Sequence, residues 1–172
     1  MDTTVVSFLS GVALAIVGLA INEAVSFQIR AYRLRKLIVI DAESTVAGLV
    51  ANLATFSAVE AGLEKQKAAS FIWEGAGGAP SFLGDIPVYL TTAESALALR
   101  YYAAQDRIDA IRSEFNDAVR GVLTETAKED AYVAIAISCL HDLKRNYEEA
   151  RDSGTGLAAL VRKNFWGEGE GE

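Results

Sequence analysis

The chain has 172 residues, of which 51% are hydrophobic and 23% are charged, and its formal net charge is −7. This length is enough for one domain with its own core beside a membrane-spanning helix. The acidic balance argues against nucleic acid as a partner, and a single cysteine excludes a disulfide within the chain.

Residues 5–21 form the most apolar stretch, with Ser7 and Ser10 as its only polar side chains. A helix of this length is about 25 Å long, and a few flanking residues extend it to the roughly 30 Å of a bilayer hydrocarbon core. The sequence therefore predicts a single transmembrane helix, with residues 1–28 as the anchor. A buried helix of a soluble protein is the alternative, because core helices can be as apolar.

Four cations follow the apolar stretch and none precedes it: Arg30, Arg33, Arg35 and Lys36. By the positive-inside rule, we expect the N-terminus outside and the remaining chain in the cytoplasm. The missing cations before the stretch also disfavour a cleaved signal peptide. Residues 29–40 are predicted to form a basic juxtamembrane collar whose four cations contact lipid headgroups.

Small residues recur within the predicted span: Ser7, Gly11, Ala15 and Gly18. In lipid, small side chains let helix backbones approach closely. They predict a surface for membrane-helix packing, although spans also tolerate glycine and serine without one.

A second helix is predicted over residues 42–73, after a break near residues 40–41 where Asp41 could cap a new helix. Its apolar seam recurs every three or four residues: Ala42, Val46, Leu49, Leu53 and Phe56. A stripe of small residues lies beside the seam and suits close packing on another helix: Ala47, Ala51, Ala54, Ala58 and Ala61.

Residues 74–90 contain four glycines and two prolines and are predicted to form a loop. The loop is nevertheless apolar at Phe82, Leu83, Ile86 and Tyr89. These residues either fold back over the end of the helices, which is the favoured interpretation, or form an exposed loop that binds a partner.

Two capping boxes, Thr91 with Glu94 and Thr126 with Glu129, predict the starts of a third and a fourth helix. The third helix has a heptad seam: Leu97, Tyr101, Ala104, Ile108, Ile111, Phe115, Ala118 and Val122. The fourth has a similar seam: Val133, Ala136, Leu140, Leu143, Tyr147 and Ala150. It is expected to stop at residues 152–154, where Gly154 suits a helix C-cap, before a short helix over residues 157–166.

The pattern predicts an all-α fold, in which a single transmembrane helix precedes an antiparallel three-helix bundle with a short C-terminal helix. The bundle domain is placed at residues 41–166, and residues 167–172 are expected to form a disordered acidic tail.

The sequence offers little chemistry. Cys139 and His141 are two residues apart, so they point about 200° apart on a helix, and a zinc site needs three or four ligands. The glycines of residues 75–78 lack the lysine and the preceding strand of a phosphate-binding loop. We therefore predict no catalytic, cofactor or metal site, no small-molecule ligand and no enzymatic activity.

These observations favour a membrane-anchored helical interaction or scaffold protein that binds a protein partner or a second copy of itself. The alternative is an accessory subunit of a membrane complex that docks through its transmembrane helix. Neither the partner nor the biological process follows from the sequence, because a fold plan of this kind serves many functions.

Overall fold

The computed structural model describes the backbone of residues 3–64, 80–124 and 129–166. The described residues are almost entirely helical and contain no strand, which confirms the all-α prediction. These residues form five α-helices and one 3₁₀ turn, in the order α1 Thr3–Leu53, α2 Phe56–Glu64, the 3₁₀ turn Leu83–Asp85, α3 Ile86–Tyr89, α4 Thr92–Thr124 and α5 Glu129–Trp166.

Helix α1 is continuous through residues 40–41, so the predicted break at that point is wrong. Asp41 does not cap a helix; its carboxylate accepts a hydrogen bond from the Tyr102 hydroxyl at 3.0 Å. Ile38 and Ala42 are both fully buried on one side of α1, so the same face continues into the core. Packing and a tertiary hydrogen bond thus override the local preference for a cap.

The actual break lies between α1 and α2, at residues 54–55. The Thr55 backbone N–H and its hydroxyl both donate to the Asn52 carbonyl, at 2.9 and 2.8 Å. The Thr55 carbonyl then accepts a hydrogen bond from the Val59 amide, and this bond forms the first turn of α2. The break divides the predicted second helix into the end of α1 and α2, and its predicted continuation over 65–73 lies outside the described residues.

Helix α5 also continues where a stop was predicted. It runs through residues 152–154 to Trp166, so the separate short C-terminal helix is wrong. The Ser153 hydroxyl donates a hydrogen bond to the Glu149 carbonyl one turn earlier, so this polar side chain has a partner within the helix. Gly154 serves packing instead of capping, because a Cβ there would lie 2.9 Å from Tyr101 and 2.9 Å from Val46.

The seams predicted on α4 and α5 both line the core. On α4, six of the eight seam residues are buried, and Leu97 and Ile111 are half-buried against the core. The capping box at the start of α4 is confirmed: the Glu94 amide donates to the Thr91 hydroxyl at 3.3 Å, and the Thr91 amide donates to the Glu94 carboxylate at 2.8 Å. The second predicted capping box, at Thr126, lies outside the described residues.

Cross-helix contacts give the directions of the long helices. Arg100 pairs with Glu149 at 2.9 Å, while Gly121 meets the Tyr132 ring, so α4 and α5 run antiparallel. The second half of α1, together with α2, also runs antiparallel to α5, and the second half of α1 runs parallel to α4. The contacts that set these two directions are Glu43–Arg162, Glu60–His141, Arg35–Glu94 and Asp41–Tyr102.

The buried core begins at Ala31, ten residues before the predicted start of the bundle domain. Leu34, Ile38 and Val39 from the predicted collar are also in the core. The small-residue stripe of the predicted second helix was expected to pack on another helix, but its residues are all exposed: Ala47, Ala51, Ala54, Ala58 and Ala61. The collar is thus part of the packed domain, and the stripe faces outward.

We expect Gly154→Ala to be less stable than the matched variant Gly156→Ala by about 1–3 kcal/mol, because the new methyl group overpacks the contact with Tyr101 and Val46. At Gly156 the nearest atom, on Leu97, is 4.0 Å from the added Cβ, so the better helix propensity of alanine is gained without strain. Denaturant titrations of both variants measure the difference. Equal stabilities would show that the helices do not approach closely at Gly154.

Candidate membrane anchor and its junction with the packed helices

Residues 12–30 of α1 project from the packed helices and are not covered by them. Between residues 12 and 30 every described side chain is exposed except Ser26, which is half-buried. Leu14 is 73% exposed, and nine large hydrophobic side chains share this environment: Val12, Leu14, Ile16, Val17, Leu19, Ile21, Val25, Phe27 and Ile29. At about 25 cal/mol per Å² of apolar surface, leaving them in water costs on the order of 10 kcal/mol, which is comparable to the stability of a whole domain.

By length and composition, one helix of the described residues could cross a membrane, and it is this one near the N-terminus. Its most apolar window has a mean hydropathy of 1.8, and none of that window is buried. Signal sequences and core helices can meet the same criteria of length and composition. The absence of burial separates this helix from a core helix, and its apolar surface needs either lipid or another protein.

Of the predicted helix-packing residues, Ala15 and Gly18 are exposed, and a Cβ added to Gly18 would meet nothing within 4 Å. Only the backbone of Ser7 and Gly11 is described, as part of α1. Their role in packing against another membrane helix stays a prediction.

The four cations predicted to contact headgroups fall into two groups. Arg30, Arg33 and Lys36 are exposed, whereas Arg35 is only 8% exposed. The spacing explains the difference, because Arg35 lies on the same side of α1 as the buried residues Ala31, Ile38 and Ala42. Arg35 is therefore directed into the protein.

Arg35 pairs with Glu94 at the start of α4, and this buried pair joins the two helices. Its Nη2 lies 2.9 Å from Oε2 and its Nε lies 3.4 Å from Oε1, in a side-by-side arrangement. From α5, the Asn164 amide donates to the same carboxylate at 3.5 Å, and the Phe165 ring lies 4.7 Å from the guanidinium carbon. We call these four residues, with Thr91, the junction.

Burial by itself would raise the pKa of Glu94, but hydrogen bonds from Arg35 and Thr91 and the positive charge of Arg35 act against it. The net effect is a pKa below the ordinary value of 4.5. Glu94 is therefore ionised at neutral pH even though it is fully buried. A charge in this position is stable only while its partner is present.

The sequence assigned Glu94 to a capping box and Arg35 to lipid, and so missed their pairing. The available signal was the buried periodicity of α1, in which position 35 falls on the inner face. A cation on an inner face requires a buried partner. Which carboxylate supplies it, 59 residues away along the chain, depends on tertiary packing.

The predicted partner loop packs on the helices as far as it is described. Ile86 is fully buried, and Phe82, Leu83 and Tyr89 are half-buried against the core. The Phe82 ring stands edge-on to Tyr102, with 5.8 Å between centroids. These four residues thus cover the α1–α4 side of the core; a partner-binding role for them stays a prediction.

The side chains capable of chemistry are scattered. His141 is exposed and contacts Glu60 at 2.9 Å, which joins α5 to α2. Cys139 is buried. Burial raises the pKa of its thiol, and the nearby negative charges of Glu114 and Asp142 raise it further. Across the residues that the structure describes, no three His, Cys, Asp or Glu side chains are grouped to hold a metal ion.

The chain matches no model of a known protein family, no curated protein and no solved structure. A functional interpretation therefore rests on the exposed apolar half of α1, the junction and the surfaces around them.

Proposed function

We propose that the protein is a membrane-anchored helical interaction protein. In this proposal the first half of α1 crosses the membrane. Its second half, continued by α2, forms a three-helix bundle with α4 and α5 on the cytoplasmic side. The observation that supports it is the exposed apolar surface of residues 12–29, which continues without a break into a packed domain. Insertion into a lipid bilayer would shield this apolar surface from water along its whole length.

The interaction role is supported by the outer face of α1 beyond the anchor. Leu37, Ile40 and Val50 are about half exposed, and Ala47 and Ala51 of the alanine stripe are exposed on the same helix. A partner protein or a second copy of the chain would bury this face. The net acidic domain remains a poor match for nucleic acid.

The anchor and its orientation can be tested together. The full chain should stay in the membrane fraction after alkaline carbonate extraction, and a reporter active only in the cytoplasm should work when fused after Glu172. The physical reason is the apolar surface of residues 12–29, followed by exposed Arg30, Arg33 and Lys36. Replacing these three cations with glutamine should give mixed orientations, whereas Arg107→Gln, on exposed α4 surface, should not.

Release by carbonate would contradict the anchor, and activity of a reporter that works only outside the cytoplasm would contradict the orientation. If the protein is anchored in the reverse orientation, the transmembrane anchor is supported and the cytoplasmic position of the packed helices is contradicted.

The alternative, an accessory subunit that docks through its transmembrane helix, is supported by the open space around Gly18 and the exposure of Ala15. Gly18→Leu should then abolish co-purification of a membrane partner by blocking close helix approach. Val17→Leu is the matched control on the same helix. If Gly18→Leu leaves co-purification unchanged, the span is an anchor and not a docking surface.

A further inference from the structure

A groove runs between α1 and the short helix α3, just after the exposed apolar stretch. It holds a cavity of about 360 Å³ whose walls include Arg30 and Arg33 from α1 and Phe82, Asp85 and Tyr89 from the opposite side. A second cavity of about 650 Å³ adjoins it, shares Arg30 and Tyr89, and extends back along α1 to Ala20. The groove therefore opens toward the proposed membrane span.

The groove has donors that the protein leaves available. Arg30 donates from Nη1 to the Tyr89 hydroxyl at 3.5 Å, a long contact with a neutral acceptor. In the part of the chain that the structure describes, the ion pairs of α1 are those of Arg35 and Glu43, and neither Arg30 nor Arg33 takes part in one. Two guanidinium groups face one carboxylate, Asp85, so the smaller cavity carries a net charge of +1.

The groove also lies at the depth of lipid headgroups. A span of about 30 Å that begins at Val5 ends near Ala24, which places the Arg30 backbone about 9 Å beyond the hydrocarbon. Long arginine side chains reach back to the headgroups from such a position. Tyr89 packs on Phe27 with 5.0 Å between ring centroids, and tyrosine is typical of this interfacial layer.

We propose that this groove binds the phosphate of one anionic glycerophospholipid from the cytoplasmic leaflet, with Arg30 and Arg33 as its cationic ligands and the Tyr89 hydroxyl as an additional donor. The proposal rests on the membrane anchoring argued above. Planar guanidinium groups offer paired N–H donors that match phosphate oxygens. Glu23 lines the far end of the larger cavity, about 10 Å from Arg30 along the axis, so a phosphate held by Arg30 and Arg33 lies away from this carboxylate.

The proposal differs from a general attraction of the basic collar to acidic lipid. Lys36 belongs to the collar and is exposed, yet it lines neither cavity. Arg35 is held by Glu94. A specific groove therefore depends on Arg30, Arg33 and Tyr89, whereas a diffuse collar would depend on every exposed cation alike.

Native mass spectrometry of the full chain, purified in a mild detergent with equal amounts of short-chain phosphatidylglycerol and phosphatidylcholine, tests the groove. The wild-type protein should retain one phosphatidylglycerol in preference to phosphatidylcholine. Arg30→Gln and Arg33→Gln should each weaken that preference about fivefold, and Tyr89→Phe, which keeps the ring on Phe27, should weaken it about threefold. Lys36→Gln should leave it unchanged.

Equal retention of the two lipids by the wild-type protein would overturn the proposal, as would an equal loss in Lys36→Gln and Arg30→Gln. Inorganic phosphate added alone at millimolar concentration separates the possible sources of the anion: if it is retained and displaces the lipid, the site is one for free phosphate. Carbonate extraction of the same protein keeps the two proposals apart. Release from the membrane contradicts the anchor, whereas an integrated protein without lipid preference contradicts only the groove.

Discussion

Replacing Arg35 with methionine should lower the free energy of unfolding by about 3–5 kcal/mol, because it leaves the Glu94 carboxylate buried without its counter-charge. The double variant Arg35→Met with Glu94→Leu should recover most of this loss, since both charges of the buried pair are then removed. The matched control is Arg100→Met, which removes an ion pair whose arginine side chain is 64% exposed; its effect should stay below about 1 kcal/mol.

The pH dependence of stability should separate these variants further. The pKa of Glu94 is lowered in the folded protein, so its contribution is complete above about pH 4.5 and is lost as the pH falls through the lowered pKa. In Arg35→Met, burial acts on Glu94 without that counter-charge and raises its pKa, so stability should increase as the pH falls from neutral toward 5. Denaturant titrations across this range measure both slopes. Parallel pH profiles for the wild type and Arg35→Met would contradict the pairing.

Ile108→Ala should cost about 2–5 kcal/mol of stability, the usual range for a fully buried aliphatic side chain. Ile108 lies in the middle of the α4 seam and is completely removed from solvent. Ile111→Ala should cost less, because Ile111 is only half-buried at the edge of the core. Ile135→Ala, at a side chain that is 43% exposed on α5, is the matched control and should cost below about 1 kcal/mol.

Cooperative unfolding followed by circular dichroism provides the comparison for these three isoleucine variants. If Ile108→Ala and Ile135→Ala are equally stable, the predicted seam does not form the core.

The seams of α4 and α5 were predictable because apolar periodicity over many turns is a redundant signal, and one misplaced residue does not change it. The capping box at Thr91 was predictable for a different reason, since all its contacts lie within four residues. The apolar character of residues 12–29 also follows from composition alone, but their exposure does not, because a core helix can be equally apolar. The outward face of the alanine stripe does not follow either, because alanine suits a buried helix face and an exposed one equally.

Breaks within the long helices were predicted poorly. Asp41 and Gly154 are both good terminators in isolation. In the fold, the Asp41 carboxylate accepts a hydrogen bond from Tyr102, and Gly154 gives room to Tyr101. Both partners lie more than fifty residues away, so local sequence holds no information about them. The same limit applies to Arg35, whose partner Glu94 is set by how α1 and α4 pack.

The unbroken course of α1 has a mechanical consequence. No flexible linker separates the exposed apolar stretch from Ala31, the first buried residue of the core. From Ala31 to Leu53 the helix extends about 33 Å, so a tilt of about 10° at the anchor displaces its far end by about 6 Å. Under the proposed anchoring, α1 acts as a rigid lever: a change in helix tilt, one of the ways in which a span adapts to bilayer thickness, moves the distal end of the domain sideways, parallel to the membrane surface.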